Sequence, residues 1–139
     1  MRKIKIRLPA TVVNLGPGLS TLGLALGLYT TIEVSPRSDD VLSVEPQGEG
    51  AGRYPVGLRH PVVLALARIF QRMERAPLGI NIRIDNQIPV TSGLGAETAF
   101  LVAGAIAANN LLGSPYKRDD LLEIAAHISR SFWKFLTTE

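Results

Sequence analysis

Residues 88–99 read Ile-Pro-Val-Thr-Ser-Gly-Leu-Gly-Ala-Glu-Thr-Ala. A β-type approach gives way through Pro89, Val90, Thr91 and Ser92 to Gly93-Leu94-Gly95, and Ala96, Glu97, Thr98 and Ala99 then open a run of small, helix-compatible residues. Glycines let the backbone come close to an anion, and successive N–H groups at a helix start point toward it. The chemistry this spacing suits is the cradling of a phosphate. It is not a Walker A loop, because no Gly-Lys-Ser/Thr follows, and it lacks the G-x-G-x-x-G of a dinucleotide site. A simple turn with a helix cap would give the same local pattern. A second glycine-rich element upstream, Asn14-Leu15-Gly16-Pro17-Gly18 followed by Ser20, shifts the reading toward a ligand. The Asn14 amide can both donate and accept hydrogen bonds; as the residue ahead of Gly16 it also suits a turn.

Composition narrows the remaining chemistry. The 139 residues hold no cysteine, so there is neither a disulfide framework nor a thiolate nucleophile. The only two histidines, His60 and His127, lie far apart, which argues against a His-rich metal site. Net charge is +3, and the basic residues are scattered rather than clustered. That balance accommodates an anionic ligand but does not indicate nucleic acid. No run of about 18 apolar residues exists, so no membrane span is expected. Arg2, Lys3 and Lys5 ahead of the apolar 19–28 stretch imitate a leader, but Pro9, Asn14 and Pro17 interrupt it, and a cytoplasmic protein is expected.

The elements that must position these residues follow from periodicity. Residues 3–8 alternate apolar and polar as a half-buried strand. Residues 30–35 are β-branched and read as a strand closed by Pro36, with Ser38-Asp39-Asp40 turning the chain into a partner strand at 41–45. Residues 47–55, with Gly48, Gly50 and Gly52, read as loop. Residues 61–75 form the clearest amphipathic helix: Val62, Leu66, Ile69, Phe70 and Met73 share a face, and Arg68, Arg72 and Arg75 lie on a solvated one. Ile80, Ile82 and Ile84 alternate in a strand, and Asp85-Asn86 reads as a turn before the glycine loop. The helix after that loop, 97–112, is slim and apolar all round, as a buried helix must be, and Gly113 stops it. Asp120-Leu121-Leu122-Glu123 resembles a capping box that starts a last helix through about Ser131. Together these elements indicate an α+β domain.

Residues 8–26, from Leu8-Pro9-Ala10-Thr11 through Asn14-Leu15-Gly16-Pro17-Gly18 to Leu26, closely resemble the first motif of homoserine kinases, members of the GHMP kinase superfamily. Pro89, Gly93, Leu94, Gly95 and Ala99 are similar to that superfamily's second motif, P-x-x-x-G-L-G-S-S-A. The resemblance covers residues 1 to about 131. It implies an N-terminal domain of ribosomal protein S5 domain 2-like fold, with 89–99 wrapping the ATP phosphates and Mg²⁺ bridging them. The implied reaction is transfer of the γ-phosphoryl group to the hydroxyl of homoserine, in threonine biosynthesis. It also implies that Asn14 and Ser20 lie near the acceptor. Ser20 replaces the aspartate usual in homoserine kinases, which removes a salt bridge to a substrate ammonium and leaves another small alcohol as an alternative acceptor. Ala96-Glu97 replaces the Ser-Ser pair whose second serine sits by the metal. Glu97 is open to three readings: a Mg²⁺ ligand, a charge that repels triphosphate unless a metal intervenes, or an acid favoured in a first helical turn. The family's upstream metal-binding glutamate falls near Ala125, with Glu123 the nearest acid. Its H-x-D-N segment is replaced by residues 132–139, a divergent tail, and no catalytic residue is assigned. By this resemblance the chain is expected to be an incomplete N-terminal domain, 1–131, without the C-terminal domain. Such a chain would be inactive alone, completed by a separate chain, or a non-catalytic ATP-binding remnant.

Overall fold

The computed structural model describes residues 3–9, 27–57, 59–89 and 96–137, with side chains as far as residue 128. Among them are strands β1 (Ile4–Pro9), β2 (Tyr29–Arg37), β3 (Leu42–Gly48) and β4 (Gly79–Asn86). The helices are α1 (Pro61–Met73), α2 (Ala96–Leu111) and α3 (Arg118–Thr137). The strands form one sheet in the order β1-β2-β4-β3. β2 runs antiparallel to both β1 and β4, and β3 runs parallel to β4, so the β3–β4 connection must cross over, through α1.

The strand after the 38–40 bend therefore does not pair with β2 as a hairpin, as the sequence suggested. β4 takes that place. Its Ile80, Ile82 and Ile84 are buried, which suits a central strand, whereas β3 begins at an exposed Leu42 and carries Pro46, which cannot donate to a ladder and suits an edge. Arg37 fixes the bend. Its guanidinium bonds both Asp39 carboxylate oxygens, at 2.7 and 2.8 Å, and Asn81 Oδ1 on β4 at 2.9 Å. The Arg37 hydrogen bond is the main cause holding the Asp39 carboxyl down at about 2. Nor does Pro36 close β2. The strand runs on to Arg37, with Pro36 opposite Ile80, because β1 pairs only as far as Val34 and a missing N–H costs little where one side of the strand is unpaired.

One face of the sheet presents Ile4, Ile32, Val34, Ile82 and Ile84 to the helices; the other carries Lys5, Glu33, Arg83 and Asp85. α1 contributes Val62, Val63, Leu66 and Ile69 to the core, and Arg68, Arg72 and Arg75 are exposed as expected. α2 is buried on almost every side, and its small residues let it approach α1 closely. A Cβ added at Gly104 would lie 2.4 Å from the Val62 carbonyl oxygen and 3.0 Å from Ala65 Cβ. Gly113, with φ +83°, supplies the left-handed residue beyond the end of α2. α3 starts earlier than the capping-box reading placed it and continues past Ser131 to Thr137. No Gly or Pro between 118 and 137 interrupts it.

Candidate functional site

β1 ends, β2 begins, and β3 and β4 end along one edge of the sheet, since Pro9 lies opposite Tyr29, Thr30 opposite Asn86, and Gly48 opposite Asn86. In sequence, residues 10–26 lie between β1 and β2, and residues 90–95 lie between β4 and α2. Asn14, Ser20, Val90, Thr91, Ser92, Gly93, Leu94 and Gly95 lie outside the described residues.

On the strand side, Asn86 is the last residue of β4 and only 2% exposed, not a turn residue as its type suggested. Its side-chain NH₂ donates to the Glu49 carbonyl at 3.0 Å and to the Ile88 carbonyl at 2.7 Å, and its Oδ1 accepts from Ile88 N–H at 3.0 Å. One amide thus satisfies three backbone groups where the chain leaves the sheet, and it ties the 49–57 loop to the entrance of the glycine loop. The same residue type signals either a turn or a buried bridge, and only the burial distinguishes them.

On the helix side, Ala96 and Ala99 are buried, while Glu97 and Thr98 are half-buried in the first turn of α2. Glu97 Oε1 accepts a hydrogen bond of 2.5 Å from the Tyr54 hydroxyl. Glu97 Oε2 is buried and has no hydrogen-bond partner among the described residues. The other buried, unpartnered side-chain oxygen among the described residues, Thr30 Oγ1, belongs to the same edge of the sheet. Burial first, then the bond to Glu97, pushes the Tyr54 hydroxyl well above its ordinary range, with Arg53 acting against that shift. The phenol therefore stays a donor.

Tyr54, His60 and Phe100 form an aromatic cluster behind Glu97. The Tyr54 ring meets His60 edge-on at 5.5 Å and Phe100 edge-on at 6.1 Å, and His60 and Phe100 lie 5.5 Å apart. His60 is 2% exposed, and its Nδ1 accepts from Val62 N–H at 3.2 Å, capping α1 ahead of Pro61. That bond requires an unprotonated Nδ1, which puts the single proton of the neutral ring on Nε2. Burial lowers the His60 pKa to about 4, in keeping with a neutral ring. The sequence reading assigned no role to Tyr54 or His60. A lone tyrosine in a glycine-rich loop and a histidine just before the Pro at a helix start were the available signals. On α3, Ala125 faces the core and Glu123 is exposed. Among the described residues no group of three or more His, Cys, Asp or Glu could hold a metal ion, and no helix is long and apolar enough to cross a membrane.

The described residues form a mixed sheet covered on one face by helices, with the buried strand β4 preceding residues 90–95 and the buried, small-residue helix α2 following them. The chain belongs to the GHMP kinases: the family described as GHMP kinases N terminal domain matches residues 61–134. The chain is similar to a homoserine kinase of Corynebacterium urealyticum, 38% identical over 125 residues that cover 90% of this chain and 40% of that protein. It is 43% identical to one of Corynebacterium diphtheriae over 114 residues, 82% of this chain and 37% of that protein. The chain thus spans about 40% of the length of the curated relatives it matches. Among solved structures it resembles homoserine kinase from Cytophaga hutchinsonii, with a TM-score of 0.70 and 25% identity, over 90% of this chain and 40% of that one. Mevalonate kinase from Methanococcus jannaschii shares the fold, with a TM-score of 0.63 at 15% identity, over 92% of this chain and 45% of that one. The α+β fold expected from the sequence is the fold found.

Proposed function

We propose that this domain supplies the ATP-phosphate loop of a homoserine-kinase-like enzyme. The observation that carries the reading is the pair of flanks around the glycine segment: a strand end clamped by Asn86 and a helix whose first turn is already buried at Ala96 and Ala99. A loop held at both ends by rigid elements is pre-organised to turn its N–H groups toward an anion, and the α2 dipole adds to that field. In this reading residues 89–99 hold the ATP phosphates, and Asn14 and Ser20 lie by the acceptor. The acceptor hydroxyl oxygen forms a bond to the γ-phosphorus while the bond to the β–γ bridging oxygen breaks, releasing ADP. The acceptor is homoserine or a similar small alcohol, and Ser20 favours the wider class because it supplies no charge for an ammonium.

Mg²⁺ is bound in such sites by one or two carboxylates together with nucleotide phosphates, so an all-protein cage is not needed. The buried Oε2 of Glu97, unpartnered among the described residues, fits that requirement and would hold the ion, which neutralises phosphate charge when bound. The reading places the reaction in the cytoplasm and requires a second domain to close the cleft, on the same polypeptide or on another. Formation of O-phosphohomoserine dependent on ATP and homoserine, by the protein carrying this domain, tests the reaction. Phosphorylation of other alcohols in preference to homoserine supports the wider acceptor class, and phosphorylation of none rejects the kinase reading.

A further inference from the structure

We infer that Tyr54 is a positioning residue that fixes Glu97 so that its second carboxylate oxygen faces the divalent cation of the bound nucleotide. The inference rests on the nucleotide reading above and adds to it a residue from a different loop.

Glu97 is in the first turn of α2, directly after the glycine loop. One of its oxygens is held by the Tyr54 hydroxyl, and the other is buried without a donor among the described residues. A carboxylate oxygen in that condition is costly and calls for a donor or a cation. Among the described residues the ion pairs are Lys3–Glu33, Arg37–Asp39 and Arg83–Glu45, and none involves Glu97. Arg53 acts on the Tyr54 hydroxyl instead. An anionic side chain and a polyphosphate at the same helix start repel one another unless a metal ion lies between them. A phenol suits the supporting role because it orients the carboxylate without neutralising it, as outer-shell partners of metal-bound carboxylates do. Tyr54 is itself held by edge contacts to His60 and Phe100, so the hydroxyl is anchored to the cap of α1 and to α2. The 49–57 loop therefore reaches α2 through Tyr54 and reaches the end of β4 through Asn86.

The test uses the whole chain, a non-hydrolysable ATP analogue and Mn²⁺. Electron paramagnetic resonance titration gives the Mn²⁺ affinity of the nucleotide complex, and calorimetry gives the affinity for the metal-free nucleotide. Tyr54→Phe is expected to weaken Mn²⁺ binding about tenfold while leaving metal-free nucleotide affinity unchanged. Glu97→Gln is expected to weaken it at least as much, and the double variant no further. In the unmodified protein, Mg²⁺ added to the nucleotide complex is expected to shift the ¹³Cζ resonance of Tyr54 but not those of Tyr29 and Tyr116, a readout that does not depend on a variant folding. Equal Mn²⁺ affinity in the wild type and Tyr54→Phe, an equal loss of both affinities in Tyr54→Phe, or a Tyr54 resonance indifferent to Mg²⁺ overturns the inference and leaves the nucleotide reading standing. Absence of nucleotide binding with and without cation overturns both.

Discussion

His60 should make this domain acid-sensitive in a defined window. The ring is 2% exposed, neutral, and accepts a hydrogen bond through Nδ1. Protonating it would place a charge in an apolar aromatic cluster and turn an acceptor into a donor facing the Val62 N–H. In the unfolded chain the ring takes up its proton near 6.5, and in the folded chain only near 4. Between these values the unfolded chain binds more protons, so acid favours unfolding. The stabilisation is fully present above about pH 6.5, falls as the pH drops, and has nothing more to lose below about pH 4. A gap of about 2.5 units corresponds to about 3 kcal/mol across the whole window, and to about 2.5 kcal/mol at pH 4.5 relative to pH 7.5. Urea unfolding at the two pH values measures it. His60→Asn keeps a side-chain oxygen to cap α1 but cannot titrate, so its loss of stability between pH 7.5 and 4.5 should be smaller than wild type by about 2 kcal/mol. His127, the other histidine, is exposed, and His127→Asn serves as the control. Equal pH dependence in wild type and His60→Asn would refute the reasoning.

Three further outcomes follow from the packing and the site. Gly104→Ala drives a methyl to within 2.4 Å of the Val62 carbonyl and forces α1 and α2 apart, at about 1–3 kcal/mol, seen as a lower thermal midpoint. Asn86→Ala strips the partners from Ile88 N–H and from the carbonyls of Ile88 and Glu49, at about 3 kcal/mol. Where the protein still folds at low temperature, the affinity of this variant for the ATP analogue should fall, because the loop entrance is no longer fixed; unchanged affinity would separate Asn86 from the site. Raising salt to about 1 M should change stability by no more than about 1 kcal/mol, since the ion pairs among the described residues are at the surface. Denaturant midpoints in low and high salt check this.

Much of the fold was legible because it rests on patterns with a single physical reading. The alternation of Ile80, Ile82 and Ile84 and the apolar stripe of Val62, Leu66 and Ile69 each match one periodicity, and the structure has those elements. The all-round apolar run of α2 required a buried helix, and Gly104 shows how it meets α1. Strand order was less legible. A bend at 38–40 suits a hairpin equally well, and what displaces the hairpin is the buried β4, which pairs with β2 from far along the chain. Around the glycine segment, the residues that hold its flanks were not legible from local sequence. Asn86 looked like a turn residue, and the Tyr54–Glu97 bond joins residues 43 positions apart. Glu97 departs from the residue type of the motif, yet the contact that orients it comes from a loop that reads as featureless. Local sequence reports local geometry, and the groups that hold a site in place are long-range.

Amide-resolved nuclear magnetic resonance, with ATP and Mg²⁺ titrated into the isotope-labelled chain, tests the central claim most directly. The account predicts saturable shifts concentrated at the amides of residues 90–99, lost when Gly95 is replaced by a bulky residue such as Val in a chain that keeps its fold. No shifts, or shifts confined to the charged outer face of the sheet around Lys5, Glu33 and Arg83, would contradict it.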